Sequence, residues 1–347
     1  MRYKVDYRTL GKTGLRVPTI GFGCGNVGGV MIRGTHEQQV SAVQHALSVG
    51  IDYFDTAAAY GEGQSETHLG EVLSELKSDV HVATKFRVTG DALNDISGSI
   101  RQSLEKSLRR LQRDSVDVFQ LHTNVFENDD GQGLFVQHVL EKNGVADTLD
   151  ALKDEKLICH RGFTGLGDTT AIHRVIDSSR FDTMQTYYNL LNPTAGNIIA
   201  GVYPNQDYKQ SIDNAVSHNM GVIVIRSLAG GAVAGPVRAK LASRIPGGEM
   251  AKGNDYGSDL RRAEALRFLT TNGRTVAQAS IRFAVENPKV PLVLVGFSDK
   301  SQIDDAVAAA ESESLTSAEL ETMVDLWTND FNIEAKGKMD THSCGAH

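Results

Sequence analysis

The chain of 347 residues contains few cysteines, and the three it has, Cys24, Cys159 and Cys344, are widely spaced. They form no metal-binding motif and cannot all pair within one chain. We expect free thiols in a reducing compartment, so the predicted localisation is cytoplasmic. No metal is expected either, because His342 and His347 near Cys344 lack a fourth ligand.

Long apolar runs and clustered positive charge are also missing. No stretch approaches the ~20 apolar residues that a membrane-spanning helix needs. Met1 to Leu10 is polar and charged, so no signal peptide is expected. The formal net charge is −8 and no basic face is evident, which argues against nucleic acid as a partner.

Short apolar runs alternate with longer segments of helical period, which predicts βαβ units and a parallel sheet. Eight such units fit a closed (β/α)₈ TIM barrel of this length. No Pro- or Ser-rich linker divides the chain, so one domain over residues 1–347 is expected, with a loose tail at 336–347. The predicted strands are Val17 to Gly23, Ile51 to Asp55, Val80 to Lys85, Ser115 to His122, Ile158 to Thr164, Phe181 to Thr186, Gly221 to Ser227 and Val290 to Val295.

Additional segments are expected at the two ends of this barrel. Arg2 to Arg16 predicts an N-terminal hairpin that closes the bottom. Three long loops, at residues 124–144, 192–206 and 228–255, follow the fourth, sixth and seventh strands. They therefore lie on the C-terminal face, where long loops in compact domains usually carry function.

Asp55, Tyr60, Lys85 and His122 lie at or just past the ends of three successive predicted strands. The carboxyl ends of barrel strands open onto one face, so these groups are expected to share one pocket. A nearby ammonium lowers the pKa of a phenol from its usual value of about 10. Each residue alone also fits a structural role, such as a helix cap, a rim ring, a surface lysine or a structural histidine. Together they predict catalysis by proton transfer to or from an oxygen.

The segment Gly23-Cys24-Gly25-Asn26-Val27-Gly28 offers a different interpretation, because it matches the G-x-G-x-x-G dinucleotide fingerprint. In a Rossmann fold the glycines open a helix directly, so that its amides meet the pyrophosphate. Here residues 29–35 intervene. A flexible loop at a strand end, which lets a ligand approach closely, is the simpler interpretation.

The sequence resembles the aldo-keto reductase superfamily over nearly its whole length. The matching segments are residues 8–15 (Arg-Thr-Leu-Gly-Lys-Thr-Gly-Leu), residues 50–57 (Gly-Ile-Asp-Tyr-Phe-Asp-Thr-Ala), Tyr60-Gly61, Ser65-Glu66, Leu69-Gly70, Lys85 and Leu121-His122. The resemblance implies that Asp55, Tyr60, Lys85 and His122 are catalytic. It also implies an eight-stranded barrel that binds a nicotinamide cofactor without a Rossmann fold.

The resemblance also implies a cofactor site. Where the family usually shows Ser-Asn after strand five, this chain has Thr164-Gly165, and it has Arg226 where many members place an aromatic ring that stacks on nicotinamide. Gln185 is expected to bind the carboxamide. The implied cofactor-binding residues are Thr164, Gln185, Arg226, Ser227, Ala229, Gly231, Gly296, Ser298, Gln302 and Asp305.

The choice between NAD and NADP leans slightly to NAD. Members that use NADP typically have an Arg at the position of Gln302, where it pairs with the 2′-phosphate. Loss of a bidentate arginine weakens recognition of a dianion. Asp299 adds a negative charge nearby, although Lys300 is within reach of a phosphate.

The substrate is expected to be a small carbonyl compound or a sugar. Within the superfamily the sequence looks nearest to bacterial aldose dehydrogenases and pyridoxal dehydrogenase-like members, which suggests oxidation of an aldose at C1 or reduction of small aldehydes. Two alternatives stay open: a cofactor-binding regulatory subunit with little turnover, and a barrel aldolase that uses Lys85 as a Schiff base. The sequence does not predict the oligomeric state.

Overall fold

The fold is a closed barrel of eight parallel strands with helices outside it. A computed structural model describes residues 4–128, 134–201, 203–235, 240–242, 255–271 and 273–333. Each barrel strand pairs in parallel with the next, and the eighth pairs with the first. The predicted (β/α)₈ barrel is confirmed. The barrel strands are β1 (Ile20–Gly23), β2 (Tyr53–Asp55), β3 (His81–Phe86), β4 (Val116–Leu121), β5 (Ile158–Thr164), β6 (Thr183–Tyr187), β7 (Gly221–Ile225) and β8 (Leu292–Gly296).

The strands form in runs rich in β-branched and aromatic residues, because both faces of a barrel strand are covered. In β7, Gly-Val-Ile-Val-Ile, the first four residues are buried. Alternate side chains fill the barrel interior, where Tyr53, Ala83, Val118 and Ile223 form one cluster. The other face of each strand packs against the helices in a second, larger cluster.

At least one helix follows each barrel strand. Three helices begin with capping boxes, in which a threonine hydroxyl and the Gln or Glu three residues later each bond the other's backbone amide; these begin at Thr35, Thr275 and Thr316. The principal helices are α1 (His36–Ser48), α2 (Gln64–Leu76), α3 (Ile96–Leu111), α4 (Val145–Asp154), α5 (Thr169–Asp177), α6 (Ser211–Ser217), α7 (Val276–Glu286), α8 (Lys300–Glu311) and, beyond the barrel, α9 (Ser317–Thr328).

The predicted N-terminal hairpin is present. Tyr7–Thr9 pairs antiparallel with Arg16–Pro18, and Leu10 is fully buried in the interior cluster at the bottom. The prediction of one strand from Val17 to Gly23 was wrong, because this run supplies two different sheets. The chain leaves the hairpin at Pro18, and β1 begins two residues later.

The carboxyl-terminal face carries irregular additions. A short helix, Val30–Arg33, lies in the glycine-rich loop after β1. The helix Tyr256–Glu264, followed by a 3-10 helix at Ala265–Leu269, precedes α7. Residues 129–133, 202, 236–239 and 243–254 of the predicted long loops, and the tail from 334, lie outside the described residues. Within the described ranges, no helix is long and apolar enough to cross a membrane.

Candidate active site

Asp55 and Lys85 form a buried ion pair at the carboxyl ends of adjacent strands. Asp55 is the last residue of β2 and Lys85 lies one residue before the end of β3. The Lys85 ammonium donates to Asp55 Oδ1 and, at 2.8 Å, to the carbonyl of Thr56. Their side chains are only 1% and 4% exposed, so the pair is held away from bulk water.

Tyr60 lies in the turn after β2 and reaches the same ammonium. Its hydroxyl is 3.3 Å from Lys85 Nζ, which is 4.8 Å from the ring centroid. The Tyr60 ring meets His122 edge to face, with centroids 5.7 Å apart. Tyr60 and His122 both line the cleft described below.

Burial and charge oppose each other at Tyr60 and Lys85. Burial raises the pKa of Tyr60 above its ordinary value of 10, although the Lys85 ammonium lowers it. Burial alone would lower the pKa of Lys85, but Asp55 and Tyr60 raise it above its ordinary value. The predicted effect of Lys85 on the phenol therefore has the right sign, yet burial outweighs it.

His122 follows β4 directly, and its imidazole is neutral. Burial, together with the positive charges of Lys85 and Arg87, holds the pKa of His122 well below 6.5. Its backbone amide donates to the carbonyl of Phe86 at 2.8 Å. Its Nδ1 is buried and has no hydrogen-bond partner within the described part of the chain. A neutral imidazole donates through only one nitrogen, so this ring can orient an oxygen without adding charge.

Two glutamine amides complete the hydrogen bonding of Asp55. Gln120 Nε2 and Gln185 Nε2 donate to Asp55 Oδ2 at 3.1 and 2.6 Å. Gln185 was expected to bind a carboxamide, but here its amide nitrogen binds Asp55. Gln120 was missed, although a glutamine two residues before His122 in an apolar strand points into the same barrel interior.

A cleft of 730 Å³ opens above these groups on the carboxyl-terminal face. It has a size suited to a ligand with several functional groups. Ala229 is buried and is not among the residues that line it, and its contact with a cofactor stays a prediction. The other predicted cofactor residues do line it, namely Thr164, Gln185, Arg226, Ser227, Gly231, Gly296, Ser298, Gln302 and Asp305.

The cleft fits a nicotinamide dinucleotide at several points. Thr164 Oγ1 is buried and has no hydrogen-bond partner among the described residues, although the hydroxyl can both donate and accept. In the loop after β7, Gly230 and Gly231 adopt left-handed conformations with φ of 66° and 98°. Both glycines line the cleft, and because they have no Cβ they let a ligand approach the backbone closely.

Arg226 lies just past β7 in a left-handed conformation, with φ of 56°. Its guanidinium is 5.9 Å from the centroid of the Tyr187 ring, and its carbonyl accepts from Asn189 Nδ2 at 2.8 Å. A backbone held this way fixes where the side chain leaves the strand. The planar guanidinium can then stack on a ring in the cleft, as the sequence predicts.

The start of α8 forms the far end of the cleft. Asp299 caps the helix by accepting from the Gln302 amide, and Gln302 Oε1 accepts from the Ser298 amide at 2.8 Å. The Ser298 hydroxyl donates to the carbonyl of Gly28. The side chains of Ser298, Asp299 and Gln302 thus all bond nearby backbone groups, and the Asp299 carboxylate caps the helix.

The glycine segment after β1 does not form a Rossmann fold. Gly23, Gly25 and Gly28 line the cleft, but β1 belongs to the closed barrel. A Cβ on Gly28 would lie 2.2 Å from the backbone nitrogen of Phe297, so this glycine is required for close packing on the loop after β8. The Rossmann interpretation is wrong.

Comparison with known proteins agrees with this geometry. The model of the Aldo/keto reductase family matches residues 19–328. L-galactose dehydrogenase from Arabidopsis thaliana is 30% identical over 325 residues, which cover 90% of each chain. An aldo-keto reductase from Bacillus halodurans in its holo form has a TM-score of 0.68 at 22% identity, covering 93% of this chain and 96% of that one. An aldo-keto reductase from Klebsiella pneumoniae, solved in complex with NADPH, has a TM-score of 0.63 at 22% identity, covering 94% and 96%.

The chain belongs to the Aldo/keto reductase family. It is accordingly an NAD(P)-dependent oxidoreductase.

Proposed function

We propose that this cleft catalyses reversible hydride transfer between a nicotinamide cofactor and a carbonyl or alcohol, with Tyr60 exchanging the proton. The observation that carries the proposal is the contact of 3.3 Å between the Tyr60 hydroxyl and Lys85 Nζ. This contact lies beneath a cleft that is also lined by His122. A phenol beside an ammonium can give and recover a proton at an oxygen.

In the reducing direction, Tyr60 donates its proton to the carbonyl oxygen. The Lys85 ammonium stabilises the phenolate that remains, and Asp55 holds the ammonium charged and in place. The neutral His122 imidazole orients the carbonyl oxygen. In oxidation the ionised Tyr60 takes the proton back from the alcohol.

A bound nicotinamide supplies the hydride in reduction and accepts it in oxidation. We assign its carboxamide to the Thr164 hydroxyl and to the side-chain oxygen of Gln185, whose amide nitrogen is taken by Asp55. The two residues are paired on neighbouring strands β5 and β6. Arg226 and Ser227 line the same side of the cleft. NAD is the preferred cofactor in this proposal, because Gln302 stands where a guanidinium would pair with a 2′-phosphate and Asp299 adds a negative charge nearby.

The proposed substrates are aldoses oxidised at C1 and small aldehydes that are reduced. The aldose assignment is supported by the likeness to a plant L-galactose dehydrogenase. The size and mixed polarity of the cleft also suit a hydroxylated substrate.

The aldolase alternative loses support from the ion pair. An amine attacks a carbonyl only when it is unprotonated, whereas Asp55 and Tyr60 raise the pKa of Lys85. The alternative of a regulatory subunit predicts little turnover on a panel of aldehydes and sugars, so measured turnover separates it from the proposed enzyme.

The deciding experiment compares Tyr60→Phe with Tyr7→Phe in both reaction directions, followed by cofactor absorbance. Tyr7 is a matched control, because its hydroxyl bonds Gly50 and Asp52 at the bottom of the barrel. We expect Tyr60→Phe to lose at least 100-fold in kcat, in line with the value of a positioned proton donor. The control should keep wild-type kcat. Full activity in Tyr60→Phe would refute the assignment of the proton donor.

A further inference from the structure

Arg87 lines the cleft just past the end of β3, close in sequence to the catalytic Lys85. It is the first residue after β3 and lies two positions beyond Lys85. Side chains two residues apart point to the same side of an extended chain, and their Cα atoms are about 7 Å apart. Phe86 and Val88, on either side of it, are buried, while Arg87 is exposed and lines the cleft. Arg87 therefore projects toward the mouth above Lys85.

The backbone on both sides of Arg87 is tied to the end of β4. The carbonyl of Phe86 accepts from the His122 amide at 2.8 Å. The amide of Val88 donates to Thr123 Oγ1 at 2.9 Å. These bonds fix the position of Arg87 relative to His122, so the cation stands at a set place beside the reacting centre.

Within the described part of the chain, Arg87 has no ion-pair partner in the cleft. The charge of Lys85 is balanced by Asp55, and His122 is neutral. Among the residues the structure describes, no carboxylate forms an ion pair with Arg87. Of the two carboxylates that line the cleft, Asp55 is paired with Lys85 and Asp305 belongs to α8. A guanidinium in this position attracts an anion and can bind a carboxylate or phosphate through two parallel hydrogen bonds.

We propose that Arg87 selects substrates that carry an anionic group, a carboxylate or a phosphate, a few carbons away from the reacting carbonyl. The inference rests on the proposed function of this cleft. The anionic group binds at the mouth while the carbonyl oxygen lies against Tyr60 and His122. An acidic sugar or a short aldehyde acid fits this arrangement better than its neutral counterpart.

The test measures kcat/KM with matched neutral and anionic substrates: butanal against 4-oxobutanoate in reduction, D-galactose against D-galacturonate in oxidation, and glyceraldehyde against its 3-phosphate. Wild type, Arg87→Gln, Arg87→Lys and Arg109→Gln are compared. Arg109 is the matched control, because it is 66% exposed near the end of α3 and its loss changes the net charge equally. The carboxylate and phosphate pairs distinguish the two anionic groups.

We expect wild type and Arg109→Gln to favour at least one class of anionic substrate by tenfold or more. Arg87→Gln should lower that preference at least tenfold, mainly through KM, and Arg87→Lys should retain part of it. Raising the salt concentration should weaken the preference in wild type, because a partly exposed charge is screened. The inference is overturned if Arg87→Gln keeps the preference for anionic substrates, or if wild type favours the neutral substrate of every pair. Neither result would contradict the proposed hydride transfer. Absence of cofactor-dependent turnover with every substrate would instead overturn the proposed function, and this inference with it.

Discussion

Gln120 donates a hydrogen bond from its side-chain amide to Oδ2 of Asp55, the carboxylate that holds Lys85. Gln120 is fully buried, and its own Oε1 has no partner among the described residues. The bond leaves Asp55 Oδ1 for the ammonium. Gln120 is thus a positioning residue that fixes the rotation of the carboxylate beneath the catalytic groups.

We expect Gln120→Met, which keeps a similar volume, to lower kcat about five- to tenfold while KM stays nearly unchanged. A misplaced ammonium supports the Tyr60 phenolate less well. Stability should change by only about 1 kcal/mol, the usual value of one hydrogen bond. Steady-state kinetics and urea unfolding measure the two effects. Gln102→Met, on the exposed face of α3, is the control and should alter neither. Equal losses of activity in the two variants would contradict the role of Gln120.

The pH dependence follows from the neutral His122 and the raised pKa of Tyr60. Burial raises the pKa of Tyr60 above 10, so the phenol keeps its proton through the neutral range and loses it only as pH rises through that value. Burial and nearby cations keep His122 unprotonated at the same pH values. We expect kcat/KM for reduction to be level from about pH 6 to 9 and that for oxidation to rise with pH, because oxidation needs the phenolate. If kcat/KM for reduction changed with pH near 6.5 in wild type, and this change disappeared in His122→Asn, the expectation of an unprotonated His122 would be wrong.

The cofactor preference is expected to depend on Gln302. Gln302→Arg supplies a guanidinium to the first turn of α8, where it can pair with a 2′-phosphate. We expect the ratio of kcat/KM for NADP to that for NAD to rise at least tenfold. Gln102→Arg adds the same charge on α3 and should leave the ratio unchanged. A large preference for NADP in the wild-type enzyme would refute the proposed preference for NAD.

Asp182 is expected to stabilise the fold at neutral pH. Burial alone would raise the pKa of this carboxyl, but hydrogen bonds and charge from Arg161, with the charge of Lys153, lower it to about 2. A pKa lowered from 3.8 corresponds to roughly 2 kcal/mol of stability. This contribution is complete above pH 4 and is lost as pH falls through about 2.

We expect Asp182→Asn to lower the free energy of unfolding by about 2 kcal/mol at pH 7. The difference from wild type should narrow between pH 4 and pH 2. Urea unfolding at a series of pH values measures both effects. Asp154→Asn, at an exposed position on α4, should change stability by less than about 0.5 kcal/mol. A difference that stays constant down to pH 2 would show that the charge of Asp182 is not its cause.

The positions of Asp55, Lys85 and His122 could be predicted because each ends an apolar run, and the order of runs dictates the order of strands around a barrel. The alternation of these runs with segments of helical period likewise predicted that helices connect the strands. Arg87 and Gln120 were missed although their positions relative to Lys85 and His122 place them on the same side of their strands. In isolation, a polar residue in a strand and an arginine after one are ordinary features.

The sequence by itself determined the alternation of strands and helices, the helix caps and the residue types at the strand ends, because these depend on neighbours a few positions away. Only the tertiary structure decided which groups share the carboxylate of Asp55, since Gln120 and Gln185 lie 65 and 130 positions from it. The tertiary structure also decided the direction of the pKa shift of Tyr60, because burial raises this pKa by more than the charge of Lys85 lowers it. Both are long-range effects, because they arise only when the barrel closes and excludes water.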